Sequence, residues 1–157
     1  MVDGGGFHMV FDVLKSLSDR ESLGLTIIGE ARGEPIEGQV AVGCVIRNRL
    51  HNSPAKYKNY HDVVFEHLQF SCWNEHDSNY PYLLDLAKKM VDGTEITDPH
   101  LRQCFWVAQG IIDWIIIDNV AGAINYLERS LYDKGTVKWA KNAKHQVTYG
   151  NQVFFTL

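Results

Sequence analysis

The apolar positions of this chain form a series of blocks with helical spacing, followed by short runs with the alternation of strands. From Phe7 to Leu17 the spacing is helical, with Val10, Leu14 and Leu17 on one face. Ser18-Asp19-Arg20-Glu21 then has the form of a capping box, with Ser18 as N-cap and Glu21 at the third helical position. The helix it opens is predicted to run to about Ala31. Gly33 is expected to end it, and Pro35 suits the first turn of another helix. That next helix, over about 36–50, carries Val40, Ala41, Val42, Cys44, Val45 and Ile46 on nearly every face, so it belongs at the centre of a domain. Arg47 and Arg49 near its end would complement the helix dipole.

Further on, residues 52–58 read as a loop, 62–68 as a short helix, and 71–81, aromatic and polar without period, as another loop. An amphipathic helix over 81–91 is stopped by Asp92-Gly93, and Asp98 is placed to cap a long helix from Pro99 to about Ile117. The tail changes character. Residues 124–127, 146–149 and 152–156 are short β-like runs, the last two joined by Gly150-Asn151, a plausible tight hairpin turn. The sum is an α+β domain, a helical body with a small sheet near the C-terminus, over residues 7–157. Gly4-Gly5-Gly6 marks residues 1–6 as a flexible leader.

Glu30 stands out against this pattern. Leu23 and Ile27 precede it by seven and three residues, so its carboxyl projects from the apolar stripe of its helix. Desolvation there penalises the charged form and raises the pKa, the condition a general acid needs near neutral pH.

The sequence around Glu30 carries a resemblance. Gly29-Glu30-Ala31-Arg32-Gly33-Glu34-Pro35, followed by Glu37-Gly38-Gln39-Val40-Ala41-Val42, resembles the signature of the SleB-type cell wall hydrolases. These are the spore-cortex-lytic enzymes and their relatives, bacteriophage-borne forms included. The resemblance resumes at Gln69-Phe70-Ser71-Cys72-Trp73 and at Gly122-Ala123-Ile124-Asn125-Tyr126, closes at Gly150-Asn151-Gln152-Val153-Phe154-Phe155, and covers about residues 20–157. It implies a lysozyme-like α+β fold with a groove between helical body and sheet. It also implies a peptidoglycan-cleaving glycosidase acting between N-acetylmuramic acid and N-acetylglucosamine. The family resembles the lytic transglycosylases, which use one catalytic Glu. In those enzymes the substrate's own acetamido or hydroxyl group supplies the nucleophile and leaves an anhydro-muramyl end.

On that footing Glu30 is the expected catalytic acid and Tyr126 resembles the aromatic that faces it, although a strand Tyr could equally be packing. Glycosidic cleavage commonly uses two carboxyl groups. Glu34 and Glu37 are therefore candidates for the second, but Glu37 would suit the first turn of its helix by the dipole alone. Glu34 is expected to anchor the turn by accepting backbone N–H groups. Gln39, on an almost wholly apolar helix, must find hydrogen bonds by bracing the core or by reaching the groove. Gln69, Ser71 and Trp73 offer the amide, hydroxyl and aromatic mixture that holds sugars, with Phe70 assigned to the core. Hydrolysis with a second carboxylate, and a non-catalytic peptidoglycan-binding or morphogenetic role, are the alternatives.

Bulk properties narrow the field. The 157 residues fit one domain, with 45% hydrophobic and 22% charged residues, an ordinary soluble composition. A net charge of −4 supplies no global field for nucleic acid or an anionic membrane, and argues that polymer binding must come from a groove. Cys44 reads as a core residue; a Cys72–Cys104 disulfide is left open, and a Cys72–His peptidase is disfavoured because Cys72 lacks a helix dipole to activate it. Seven scattered histidines form no HExxH or HxH pattern, so neither metal nor cofactor is expected. The N-terminus lacks the basic and apolar regions of a secretory signal, and no apolar run is long enough to span a membrane. The expectation is a monomer made in the cytoplasm that acts on the bacterial wall, after release by phage lysis or as part of a longer protein.

Overall fold

The structure, a computed structural model, describes residues 13–157. The expected leader and most of the helix begun at Phe7 lie outside the described residues. Ser18 opens α1 (Asp19–Ala31) through the complete capping box, its side chain accepting from the Glu21 N–H while the Glu21 carboxylate accepts from the Ser18 N–H. Every residue from Ser22 to Ile28 is buried, which is possible only for a helix covered on all sides. It is wrapped by α2 (Ile36–Asn52), α3 (Tyr60–Val64), α4 (Tyr80–Asp92) and α5 (Leu101–Ile112).

Glycine makes that enclosure possible at one point that matters for the site. A Cβ on Gly29 would lie 2.6 Å from Leu83 Cδ1 and 2.7 Å from Cys72 Cβ. Only a residue without a side chain lets α4 and the Cys72 segment close onto α1 beside Glu30.

The α1–α2 connection differs in detail from expectation. Arg32 is the C-cap in right-handed conformation and Pro35 stands at the N-cap of α2, before rather than within its first turn. Arg47 is 1% exposed, and its guanidinium donates to the Ile111 and Ile116 carbonyls (3.2 and 2.8 Å) and stacks over Trp114. Arg49 donates to Ile124 O at 2.8 Å. Both arginines thus tie α2 to the distant connection between α5 and the sheet, where the dipole argument had them only capping their own helix.

That connection begins earlier than the apolar run predicts. The helix ends at Ile112, and Trp114 takes a left-handed φ of 57°, because the run 111–117 turns back so that its carbonyls meet Arg47. Asp98 caps no helix with its side chain; His100 is the N-cap of α5, and Asp98 accepts from the His100 N–H and pairs with Tyr82. The short helix expected at 62–68 lies at Tyr60–Val64, opened by the Asn59 side chain accepting from the Asp62 N–H. The 71–81 loop holds a 3-10 turn, Ser71–Trp73.

After Gly122 come β1 (Asn125–Glu128), α6 (Arg129–Lys134), β2 (Lys144–Tyr149) and β3 (Gln152–Thr156). They form an antiparallel sheet in the order β1-β3-β2, with β2 and β3 joined through Gly150-Asn151. Gln146 is the extra residue of a bulge. Phe154 and Phe155 point to opposite faces of β3 and both are fully buried. Phe154 joins the helical core beside Tyr126 and Tyr149, while Phe155 is covered by Tyr132 and Trp139. The sheet is therefore a middle layer, and Phe154 fixes it to the body. Cys44, Cys72 and Cys104 are each buried and free, so the Cys72–Cys104 disulfide left open by the sequence is not formed. No helix of the described residues is long and apolar enough to cross a membrane.

Candidate active site

Between the helical body and the sheet runs a cleft of about 680 Å³, a size suited to a small number of sugar units. Its floor and walls come from the end of α1 (Glu30), the α1–α2 connection (Glu34), the 68–71 segment (Leu68, Gln69, Ser71), β1 (Asn125 to Glu128) and the hairpin (Asn151, Gln152). Leu131 and Trp139 form an apolar end, 41% and 54% exposed.

Glu30 is the candidate acid of the cleft. Its pKa is pushed up to about 7, first by desolvation and then by the nearby Asp77 carboxylate. The Cys72 amide and thiol and the Arg49 guanidinium offset part of that rise. Its place in the last turn of α1, at the negative end of the dipole, acts in the same direction as burial. A carboxyl so tuned is substantially protonated at neutral pH and can both give and take a proton. Cys72, by contrast, is wholly buried, and desolvation with the Glu30 charge drives its thiol far above the usual range. It stays protonated, so no thiolate chemistry is available there.

The other carboxylates along the cleft are engaged. Glu34 Oε2 accepts from Asn151 N at 3.1 Å, and Glu128 accepts from the Ser130 hydroxyl at 2.7 Å. Glu34 does accept a backbone N–H, but from the hairpin across the cleft, so it is a clasp between the two lobes. Glu37 is exposed and lines no part of the cleft.

Of the residues singled out from the sequence, Glu30, Glu34, Gln69, Ser71 and Tyr126 meet in the cleft. Gln69 accepts from Arg49 at 3.4 Å, which steadies its amide. Tyr126 sits close enough to the Glu30 charge for it to help burial hold the phenol well above its usual pKa. Two do not belong. Gln39 is 2% exposed, donating to Glu34 O and accepting from Gln103, so of its two readings bracing is correct and the groove contact is not. Trp73 donates its indole N–H to Thr26 Oγ1 at 2.9 Å, packs on Phe65, and faces a separate hollow with His61. Its hydrogen bond into α1 turns the ring away from the cleft. Phe70 is core, as assigned.

Sequence reasoning missed Arg49, Leu68, Glu128, Leu131, Trp139 and Gln152. The terminal motif containing Gln152 is read from the sequence as the close of the family resemblance and as a strand, neither of which gives Gln152 a place in the cleft. Among the described residues no group of three or more His, Cys, Asp or Glu could hold a metal ion.

Comparison with known proteins agrees with this fold. The profile of the family described as Cell Wall Hydrolase matches residues 33–155. The chain is 50% identical to the spore cortex-lytic enzyme of Bacillus subtilis over 56 residues, 36% of this chain and 18% of that protein. It is 50% identical to the same enzyme of Halalkalibacterium halodurans over 54 residues, 34% and 16% respectively. The matched segment thus spans less than a fifth of these relatives' length. Among solved structures, the catalytic domain of the Bacillus cereus SleB protein superposes with a TM-score of 0.60 at 25% identity, over 88% of this chain and 89% of that one. The catalytic domain of the germination-specific lytic transglycosylase SleB from Bacillus anthracis gives 0.59 at 24% identity, over 90% and 98%. The mainly helical body with its small antiparallel sheet is therefore the SleB catalytic fold, and the profile, covering most of the chain, establishes that it belongs to the cell wall hydrolase family.

Proposed function

We propose that this domain cleaves the glycan of peptidoglycan between N-acetylmuramic acid and N-acetylglucosamine by lytic transglycosylation, with Glu30 as its one catalytic carboxyl. The observation that carries this is the solitary tuned acid: Glu30 is raised to about 7 while Glu34 and Glu128 are committed to the Asn151 N–H and the Ser130 hydroxyl. Protonated Glu30 gives its proton to the leaving glycosidic oxygen. The resulting carboxylate then takes the proton of the muramyl 6-hydroxyl as that oxygen closes onto the anomeric carbon, so the acid is regenerated without water. Gln69, Ser71 and Tyr126 hydrogen-bond and pack the sugars, and Leu68, Leu131 and Trp139 supply apolar faces for the rings. Because the cleft is assembled within one chain, the working unit is a monomer. It reaches the wall after release by lysis or as part of a longer protein.

Mass spectrometry of the products from purified murein tests the proposal. Anhydro-muramyl ends are expected; reducing ends would mean water attack and favour the second reading, hydrolysis with Glu34 as partner, which draws on its position in the same cleft. Sedimentation with sacculi without release of soluble fragments would instead mark a binding protein.

A further inference from the structure

Gln152 is the most unusual polar group in the cleft. It opens β3, paired with Glu128 on one side and Tyr149 on the other, and is 8% exposed. Its Nε2 donates to the main-chain carbonyl of Glu30 at 3.2 Å. Its Oε1 is buried and has no partner, although the side chain lines the cleft that holds Glu30. Buried amide oxygens are almost always satisfied, and an orphan at a reaction site calls for a group that arrives with the substrate. The terminal torsion of an amide is soft, so a small rotation turns Oε1 toward the cleft. Since Nε2 is anchored to the Glu30 main chain and both side chains line the same cleft, Oε1 is placed to meet a group on the sugar bound there.

We propose that Gln152 Oε1 receives the N–H of the 2-acetamido group on the sugar whose anomeric bond is cut, and so aims that group's carbonyl oxygen at the anomeric carbon. This rests on the transglycosylase reading above. In the first step the acetamido oxygen forms a bond to C1 as the C1–O4 bond breaks, and the Glu30 proton goes to O4. The N–H stays on nitrogen, and the positive charge spread over the new oxazolinium ring strengthens its bond to Gln152. In the second step O6 attacks C1, the C1–acetamido bond breaks, and the hydroxyl proton returns to Glu30. The acetamido group is released intact, and one glycosidic bond has been exchanged for a 1,6-anhydro bond. A bond that tightens as charge develops belongs to kcat rather than KM.

The experiment is a cycle between one side chain and one substrate group. Gln152→Met keeps the length and loses the amide. On peptide-free murein strands it is expected to lose about 10- to 100-fold in kcat with KM little changed. On the same strands after chemical N-deacetylation, wild type and variant should be equally slow, because the group that Gln152 holds is gone. An equal fold-loss on both substrates would overturn the proposal and leave Gln152 as a brace for Glu30. No loss on either would also overturn it. Should the variant fail to fold, or deacetylated strands show no turnover, the wild-type protein decides. Its Gln152 side-chain ¹⁵N amide resonances should shift on adding N-acetylated muropeptide glycan and stay unmoved with the deacetylated glycan; no shift with either, or the same shift with both, overturns the assignment. If wild type makes no anhydro-muramyl ends at all, it is the transglycosylase reading that fails, and the resonance shifts still report whether Gln152 contacts the acetamido group.

Discussion

Glu30 carries opposite consequences for catalysis and for stability, and both have a pH signature. Its carboxyl titrates at about 7 in the folded chain against an ordinary value of 4.5. As the one acid of the proposed mechanism it must be protonated to act, so kcat/KM is expected to fall as pH rises through about 7. For stability the folded state holds this proton more tightly than the unfolded state, so the stability it contributes is present below about 4.5. It is lost as pH rises through the folded value near 7. Glu30→Gln removes the ionisation. The variant should be inactive throughout, match wild type in stability near pH 4.5, and exceed it by about 1–3 kcal/mol at pH 8. Denaturant melts at the two pH values check this; an inactive variant less stable than wild type at pH 8 would mean the carboxylate is a charge-paired structural group. The raised pKa of Glu30 could be read from the chain because part of its surroundings is local, an apolar stripe on its own helix. Asp77 and Cys72, which complete those surroundings, arrive from 3-10 and turn structure that has no period to read.

At the scale of elements, helix periodicity located α1, α2 and α4 well, and turn chemistry located the β2–β3 hairpin. It failed where long-range bonds set the ending. The apolar run through Ile117 looks like helix, but the buried Arg47 takes the carbonyls of Ile111 and Ile116, and the chain turns to supply them. Likewise the aromatic of Gln69–Trp73 given to the groove is claimed by Thr26. The hairpin's contribution to the site is likewise tertiary. Gly150 has a φ of 54°, and a Cβ there would overlap Glu34 Oε2, the atom that accepts from Asn151. Gly150→Ala should therefore cost about 1–2 kcal/mol for the left-handed strain, plus the loss of the clasp. Glu34→Ala loses the clasp alone. The double variant is expected to cost less than the two singles added, because each already breaks the same contact. Equal additivity in thermal melts would show that Glu34 does not join hairpin to body.

Across the whole molecule, the question is whether body and sheet unfold as one. The cleft lies between them, and a sheet free to open separately would let Gln152 and Tyr126 drift from Glu30. Three kinds of contact oppose that: Phe154 in the helical core, the clasps Glu34–Asn151 and Gln152–Glu30, and the α2 arginines gripping the strand-leading connection. Arg47 tests the last because it does not line the cleft and is buried without an acidic partner, held by two carbonyls and the Trp114 ring at 4.2 Å while its Nε has no partner. Arg47→Met keeps most of the volume but leaves the Ile116 carbonyl without its Arg47 donor, while Ile111 O keeps the Trp114 N–H; the expected loss is about 1–3 kcal/mol. If body and sheet form one cooperative unit, urea unfolding followed by far-UV and by aromatic signals should shift to a lower midpoint together, with the slope unchanged. A second transition, or a shallower slope, would mean that the grip of Arg47 is what couples the lobes, and the cleft would then be expected to lose activity at urea concentrations where the helices are still intact.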